Sequence, residues 1–289
     1  MTQITPAQID TWLERTTPSP RENYPVYFIF GLFIASILAP LATPLLTNAK
    51  WEWEQLEIIP WILLTIILLV SRWRARRRQR STERVEQMWE DAKLEKWDAV
   101  EAALPTTLNQ TIYDPTLRGR AFMLLAGLLE TRKHHDVAGY IYESLLRRRL
   151  GDPLTLHQAQ LALASAKLRN EELTDAVELI GRLQKIEMPP PLRAIFEAVR
   201  LHQQVFMGQN EDAVDKISER RDLFRRHLST RAGYAYGLLA AALHRLGRKD
   251  EAQRYWHDAT LLVPPAKLTD RFELLTDVAP HYQASQSPL

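Results

Sequence analysis

Apolar positions along the chain fall into two regimes. The first is continuous. Tyr24 to Leu46 is a run of 23 residues without a charge. At about 1.5 Å per residue, such a run crosses a hydrocarbon core of about 30 Å with some tilt. Pro40 and Pro44 kink its second half, which membrane helices tolerate. A second apolar run, Ile58 to Val70, extends over 56–73 to 18 residues. The second regime is periodic. From Ser81 to about Val278 apolar residues recur at three- and four-residue spacing, without sustained alternation, so helices are predicted and strands are not. The composition of that stretch, rich in Glu, Lys, Arg, Leu and Ala, points the same way.

The periodic region repeats itself. Pro115, Pro153 and Pro191 are 38 residues apart, and the first two follow Asp114 and Asp152. Aspartate caps a helix and proline fits its first turn, so each pair predicts a helix start. The next step of 38 reaches Ser229, another capping residue. A small residue recurs at Ala99, Ala138, Ala176, Ala213 and Ala252, spaced 39, 38, 37 and 39. Ala126, Ala164, Leu201 and Ala240 stand 12 residues before the last four. Turns are expected between the two series, at Arg132–His135, Arg169–Glu172, Gly208–Glu211 and Gly247–Asp250. The predicted unit is a helical hairpin whose small residues let two antiparallel helices approach. One hairpin cannot bury its own apolar face, so stacking into a superhelix with a concave groove is expected.

The last unit resembles the tetratricopeptide repeat, with Tyr236, Leu239-Ala240, Leu243, Gly247, Ala252, Trp256, Ala259 and Pro264 at the motif positions. The second unit fits with Phe122, Leu125-Ala126, Leu129, Ala138, Tyr142 and Leu145. The third keeps Leu163-Ala164, Ala176, Ile180 and Leu183 but places Lys167 where an apolar residue is expected. The fourth keeps Gly208, Ala213 and Ile217 and is irregular in its first helix; the first, around Trp89 to Leu104, is the weakest. The resemblance covers residues 82–278 and implies an α-solenoid. It also implies a groove lined by the first helix of each unit, which here offers Arg120, Glu130, Gln158, Arg169, His202, His244 and Arg245 to a protein partner. The Lys and Asn set with which some such domains hold a peptide carboxylate is missing, so chaperone-tail binding is not implied. A solvating helix is expected at Lys267 to Val278, with a disordered tail over 279–289.

Charge orients the apolar runs. Six arginines (Arg72, Arg74, Arg76, Arg77, Arg78 and Arg80) follow the second run directly, whereas the link between the runs carries Lys50 against Glu52, Glu54 and Glu57. The positive-inside rule then places the arginines and both termini in the cytoplasm, as in a multi-pass protein of a bacterial-type inner (plasma) membrane. Trp51, Trp53, Trp61 and Trp73 suit the headgroup level. Residues 1–23 form a cytoplasmic leader in which Thr5-Pro6-Ala7-Gln8 reads as a capping box. Ile9, Trp12 and Leu13 share one face there, as in a helix lying on the membrane. The basic segment 74–81 has two readings, anionic lipid or nucleic acid. Residues 81–289 hold 28 Lys and Arg against 29 Asp and Glu. A nucleic-acid-binding domain is usually basic, so lipid is preferred and no nucleic acid is expected.

Composition narrows the chemistry. The chain has no cysteine and only 10 glycines in 289 residues, which removes disulfides, thiol nucleophiles and Cys-ligated metal centres. Metalloprotease, phosphate-loop, nucleophile-elbow and calcium-loop motifs are absent. No catalytic residue, cofactor or metal is therefore expected. The sequence predicts an all-α protein: a two-span hairpin (24–46 and 56–73), then a tetratricopeptide-like solenoid. The expected role is a non-enzymatic scaffold or adaptor that recruits a protein partner at the membrane. The alternative is an accessory subunit of a larger membrane complex, held through its spans.

Overall fold

The computed structural model describes residues 4–18, 31, 34 and 58–283. The described residues are all-helical, with no strand. They fall into two compact units, one within Met1–Arg132 and Leu150–Asp152, the other within Lys133–Arg149 and Pro153–Leu289. Among the described residues, no helix is long and apolar enough to cross a membrane. The 24–46 run lies outside them except for helical Gly31 and Ile34, and the 56–73 run is described from Ile58 onward.

Unit one comprises α1 (Pro6–Thr16), α2 (Ile58–Lys93), α3 (Trp97–Leu108) and α4 (Pro115–Thr131). Helix α2 runs unbroken for 36 residues, so the basic segment is its middle and not a separate linker. Its second half buries Val85, Met88 and Ala92 and packs on α3 and α4. Asp114 caps α4 as expected, its carboxylate accepting from the Thr116 (2.8 Å) and Leu117 (3.4 Å) amides. The chain passes so close to α4 at Gly119 that a Cβ there would lie 2.5 Å from the Leu150 carbonyl. In the first hairpin the register differs by one from expectation: Ala99 is exposed and Val100 takes the buried place.

Helix α1 corrects the sequence reading. Thr5 is the N-cap and Pro6 the first helical residue, but the Thr5 side chain makes no capping bond. Ile9, Leu13 and Thr16 are buried within unit one, where α1 packs on α3. The Thr16 carbonyl accepts from the Ile112 amide at 3.0 Å and from Arg118 at 3.5 Å. Arg15 donates to Asn109 at 3.2 Å. The apolar face expected on a membrane surface is covered by protein: α3 packs on it, and Asn109, Ile112 and Arg118 bond to polar groups at the end of α1.

Unit two comprises α5 (His135–Arg148), α6 (Pro153–Arg169), α7 (Leu173–Leu183), α8 (Pro190–Phe206), α9 (Asn210–Val214), α10 (Ile217–His227), α11 (Ala232–Arg245), α12 (Lys249–Leu262), α13 (Pro265–Arg271) and α14 (Ala279–Gln283). Short 3-10 turns at Ser229–Arg231 and Glu273–Leu275 precede α11 and α14. Ala138, Ala176, Ala213 and Ala252 are all buried, as are Ala164, Leu201 and Ala240. Ser229 is not a helix cap: it stands in the left-handed region (φ 50°) and α11 starts three residues later. The residues Ala279 to Gln283, expected to be disordered, form α14 and bury Ala279 and Tyr282.

The repeat is written in the backbone as well. A residue with positive φ recurs at Glu95, Lys133, Glu171, Gly208 and Gly247, one in each turn from a first to a second helix. At four of these turns an amide reaches back five residues: Lys96 to Asp91, Glu172 to Lys167, Gln209 to Gln204 and Arg248 to Leu243. That bond is the Schellman closure, which satisfies carbonyls left open at a helix end.

Candidate protein-binding face

In unit two the first helices α8 and α11 lie side by side, and the chain after α12 returns across them. Val263 and Pro264 are extended, which turns the chain out of α12. The returning segment buries Leu268, Phe272, Leu275, Val278 and Tyr282. The Phe272 ring sits 4.7 Å from that of His202 on α8 and 6.2 Å from that of Tyr234 on α11. Gly237 on α11 allows the approach: a Cβ there would stand 3.1 Å from Leu275 and 3.6 Å from Leu268. Arg271 lies 4.9 Å over the Tyr234 ring, and Asp270 pairs with Lys133 at 2.5 Å. The segment therefore crosses the face; it does not stack on the end of the array as a solvating helix would.

The residues expected to line a groove take different places. His202 is buried beneath Phe272, and burial, with Arg169 and Arg271 adding like charge, pushes its imidazole down to about 3. It is a neutral packing residue, not an open contact, because the returning chain covers it. His244 points at the same segment: its Nδ1 lies 2.8 Å from the Tyr282 hydroxyl and its ring stacks on His281 at 4.8 Å. Burial, then His281, Lys249 and Arg245, lower its pKa. Arg245 donates to the Val205 carbonyl at 2.8 Å, closing the C-terminal end of α8. Arg169, at the end of α6, is half-buried and donates to Ser165 at 3.0 Å. Gln158 is half-buried on α6. Arg120 and Glu130 belong to α4 in unit one, where Arg120 pairs with Glu86 at 2.6 Å. The structure thus brings His202 against Phe272, with Arg169 acting on His202 by its charge, and brings His244 against Tyr282.

Leu268, Phe272 and Leu275 stand at i, i+4 and i+7, and that spacing carried a helix prediction without saying what the apolar edge would meet. Lys167, the departure from the repeat pattern, lies within 3.1 Å of Glu143, 2.5 Å of Glu172 and 3.5 Å of Asp175. Burial opposes its charge, but hydrogen bonds to Glu172 and Glu143 outweigh it and hold the ammonium above the usual lysine range. Among the described residues, no group of three or more His, Asp or Glu side chains is arranged to hold a metal ion.

The basic run surrounds α2. Arg77 lies 5.6 Å over the Trp73 ring and Arg78 lies 5.7 Å over Tyr113. Arg72, Arg76, Arg78 and Arg80 are exposed. Compared with protein-family models, curated proteins and solved structures, the chain matches none.

Proposed function

We propose that this chain is a membrane-anchored, tetratricopeptide-like scaffold that holds a protein partner at the cytoplasmic face of a bacterial-type inner membrane. The observation that carries the reading is the first half of α2. Trp61, Leu68, Leu69 and Trp73 are 70%, 61%, 63% and 59% exposed. An apolar helix left bare on several sides is costly in water, at about 25 cal/mol for each Å². Lipid removes that cost, and the six arginines that follow on the same helix suit an anionic leaflet at about 1 kcal/mol each. The second span of the hairpin is 56–73, of which Ile58 onward begins this helix; the first is the uncharged run 24–46.

The docking of α1 supports the topology by an argument independent of charge. Residues before the apolar runs and residues after them pack in one unit, so the chain leaves and re-enters on the same side. The intervening segment then crosses an even number of times, which fits two spans with both termini together. The recurrent left-handed turns and buried small residues support the repeat reading, and a preformed face lowers the ordering cost of binding. The exposed helix equally suits contact with other spans, so the accessory-subunit reading is kept as the alternative.

Alkaline carbonate extraction of native membranes should leave the chain in the pellet, and protease added to sealed right-side-out vesicles should spare residues 81–289. Release by carbonate or digestion of that region sinks the proposal. Crosslinking in membranes, with the spans or the repeats deleted separately, decides between scaffold and accessory subunit.

A further inference from the structure

The segment 265–283 is held in place by its apolar side chains more than by its own helices. Its helices have seven and five residues, joined by a three-residue 3-10 turn. Helices so short do not persist in water on their own, so their order comes from docking. Pro264 and Pro265 join the segment to α12, and Leu268, Phe272, Leu275, Val278 and Tyr282 of the segment share one buried cluster with Ala240, Leu243, Ala252, Trp256 and Ala259 of α11 and α12. The strap lies on the first helices, the side that a helical-repeat array offers to partners.

We propose that this strap is the resident occupant of the partner-binding face of α8 and α11. The partner it stands in for is a protein segment that presents two leucines and an aromatic at the spacing of Leu268, Phe272 and Leu275. This rests on the protein-binding reading above. The slot fixes the chemistry. His202 and Tyr234 form an aromatic seat for one ring. Gly237 leaves room for two branched side chains against the helix backbone. Lys133 meets Asp270, so an acidic residue two positions before the aromatic completes the match. A partner of this kind binds by displacing the strap, and the strap sets the threshold for binding. A tethered segment acts at an effective concentration in the millimolar range, so weak partners are excluded while it is docked.

The test uses the full chain in detergent micelles and a fluorescent peptide of residues 265–283 as probe. Phe272→Ala in the chain loosens the strap and should raise affinity for the peptide at least tenfold over the unaltered chain. The same substitution in the peptide should remove binding. Gly237→Leu added to Phe272→Ala should abolish it too, because the new side chain fills the space of Leu275. A chain ending at Pro264 should bind the peptide at least as well as Phe272→Ala. Hydrogen exchange on α8 and α11 verifies folding in each variant. Equal affinity in the unaltered and Phe272→Ala chains overturns the proposal. So does absence of binding both in the Phe272→Ala chain and in the chain ending at Pro264 while α8 and α11 stay protected. Strap protection that rises with chain concentration would mean exchange with a second copy and overturns the assignment in cis. The crosslinking experiment above fails or succeeds independently: capture lost with the repeats but indifferent to the strap leaves the scaffold standing and removes this inference alone.

Discussion

The fourth and fifth hairpins of the repeat region differ in their second helices, and the difference shows what one side chain in a helix seam imposes. In the fifth, α12 runs 14 residues without a break. Ala252, Trp256 and Ala259 are buried from it. In the fourth, Ala213 takes the place of Ala252, but the position seven residues later holds Arg220 where the fifth has Ala259. The helix is interrupted before Arg220, at Asp215-Lys216, which divides it into α9 and α10 with Lys216 in the left-handed region at φ 51°. The break exposes carbonyls, and Arg220 takes them, donating to Asp212 at 3.2 Å and Ala213 at 2.6 Å. Its other end lies 3.4 Å from Glu197 on α8, which also meets Arg193 at 2.9 Å. Burial lowers the pKa of Arg220 and Glu197 opposes that effect. An arginine in the seam and an elbow in the helix are thus mutually required: the guanidinium needs acceptors, and the elbow provides them.

The sharpest way to break the comparison is to damage each seam in its own currency. Trp256→Ala should cost about 3–5 kcal/mol, since the ring fills the fifth hairpin and a cavity replaces it. Thermal or urea unfolding of the solubilised chain measures this; a loss under about 1 kcal/mol would mean that the seam is not where the stability lies.

Glu197→Ala should cost about 3 kcal/mol by leaving Arg220 buried without its carboxylate. The double replacement Glu197→Leu with Arg220→Met should recover most of that loss, because apolar residues often replace a buried ion pair without penalty. Amide exchange over 210–216 should nonetheless speed up in the double variant, since the elbow has lost its donor. Unchanged exchange there would show that the bend does not depend on Arg220.

The smallest effect is one of pH. The imidazole of His202 is held near 3 when folded and returns to about 6.5 when unfolded. Its folded pKa is depressed, so the stability that it contributes is complete above about pH 6.5 and is lost as pH falls toward 3. Between pH 7 and pH 5 this one group should cost about 2 kcal/mol. His202→Gln should flatten that part of the stability profile, and an unaltered slope would show that His202 is not the titrating group.

Much of this was readable beforehand wherever the signal was local. Asp114-Pro115 and Asp152-Pro153 mark helix starts because capping acts within three residues. The turns fell where expected for the same reason. The one-residue slip at Ala99 is not explained by the local pattern, since Asp98 precedes Ala99 as an acidic residue does in the other units and yet Val100 is the buried residue. What was not readable depends on distant partners. The apolar face of α1 was visible, but its cover, more than 90 residues away at Asn109 to Arg118, was not. No Pro or Gly marks the elbow at Asp215-Lys216. His202 was assigned to an open face because nothing local says that Phe272 returns to cover it.

The unbroken course of α2 has a geometrical consequence. A helix of 36 residues is about 54 Å long, and it carries the bare apolar half and the packed half as one rod. In the proposed membrane setting, the compass bearing of unit one about the membrane normal is then fixed by helical phase. One residue inserted between Arg80 and Arg84 swings the unit by about 100° and raises it by about 1.5 Å. Seven residues raise it by about 10 Å yet return it to within about 20° of its first bearing. Height and heading are therefore separable quantities, and residue count along a single rod sets both.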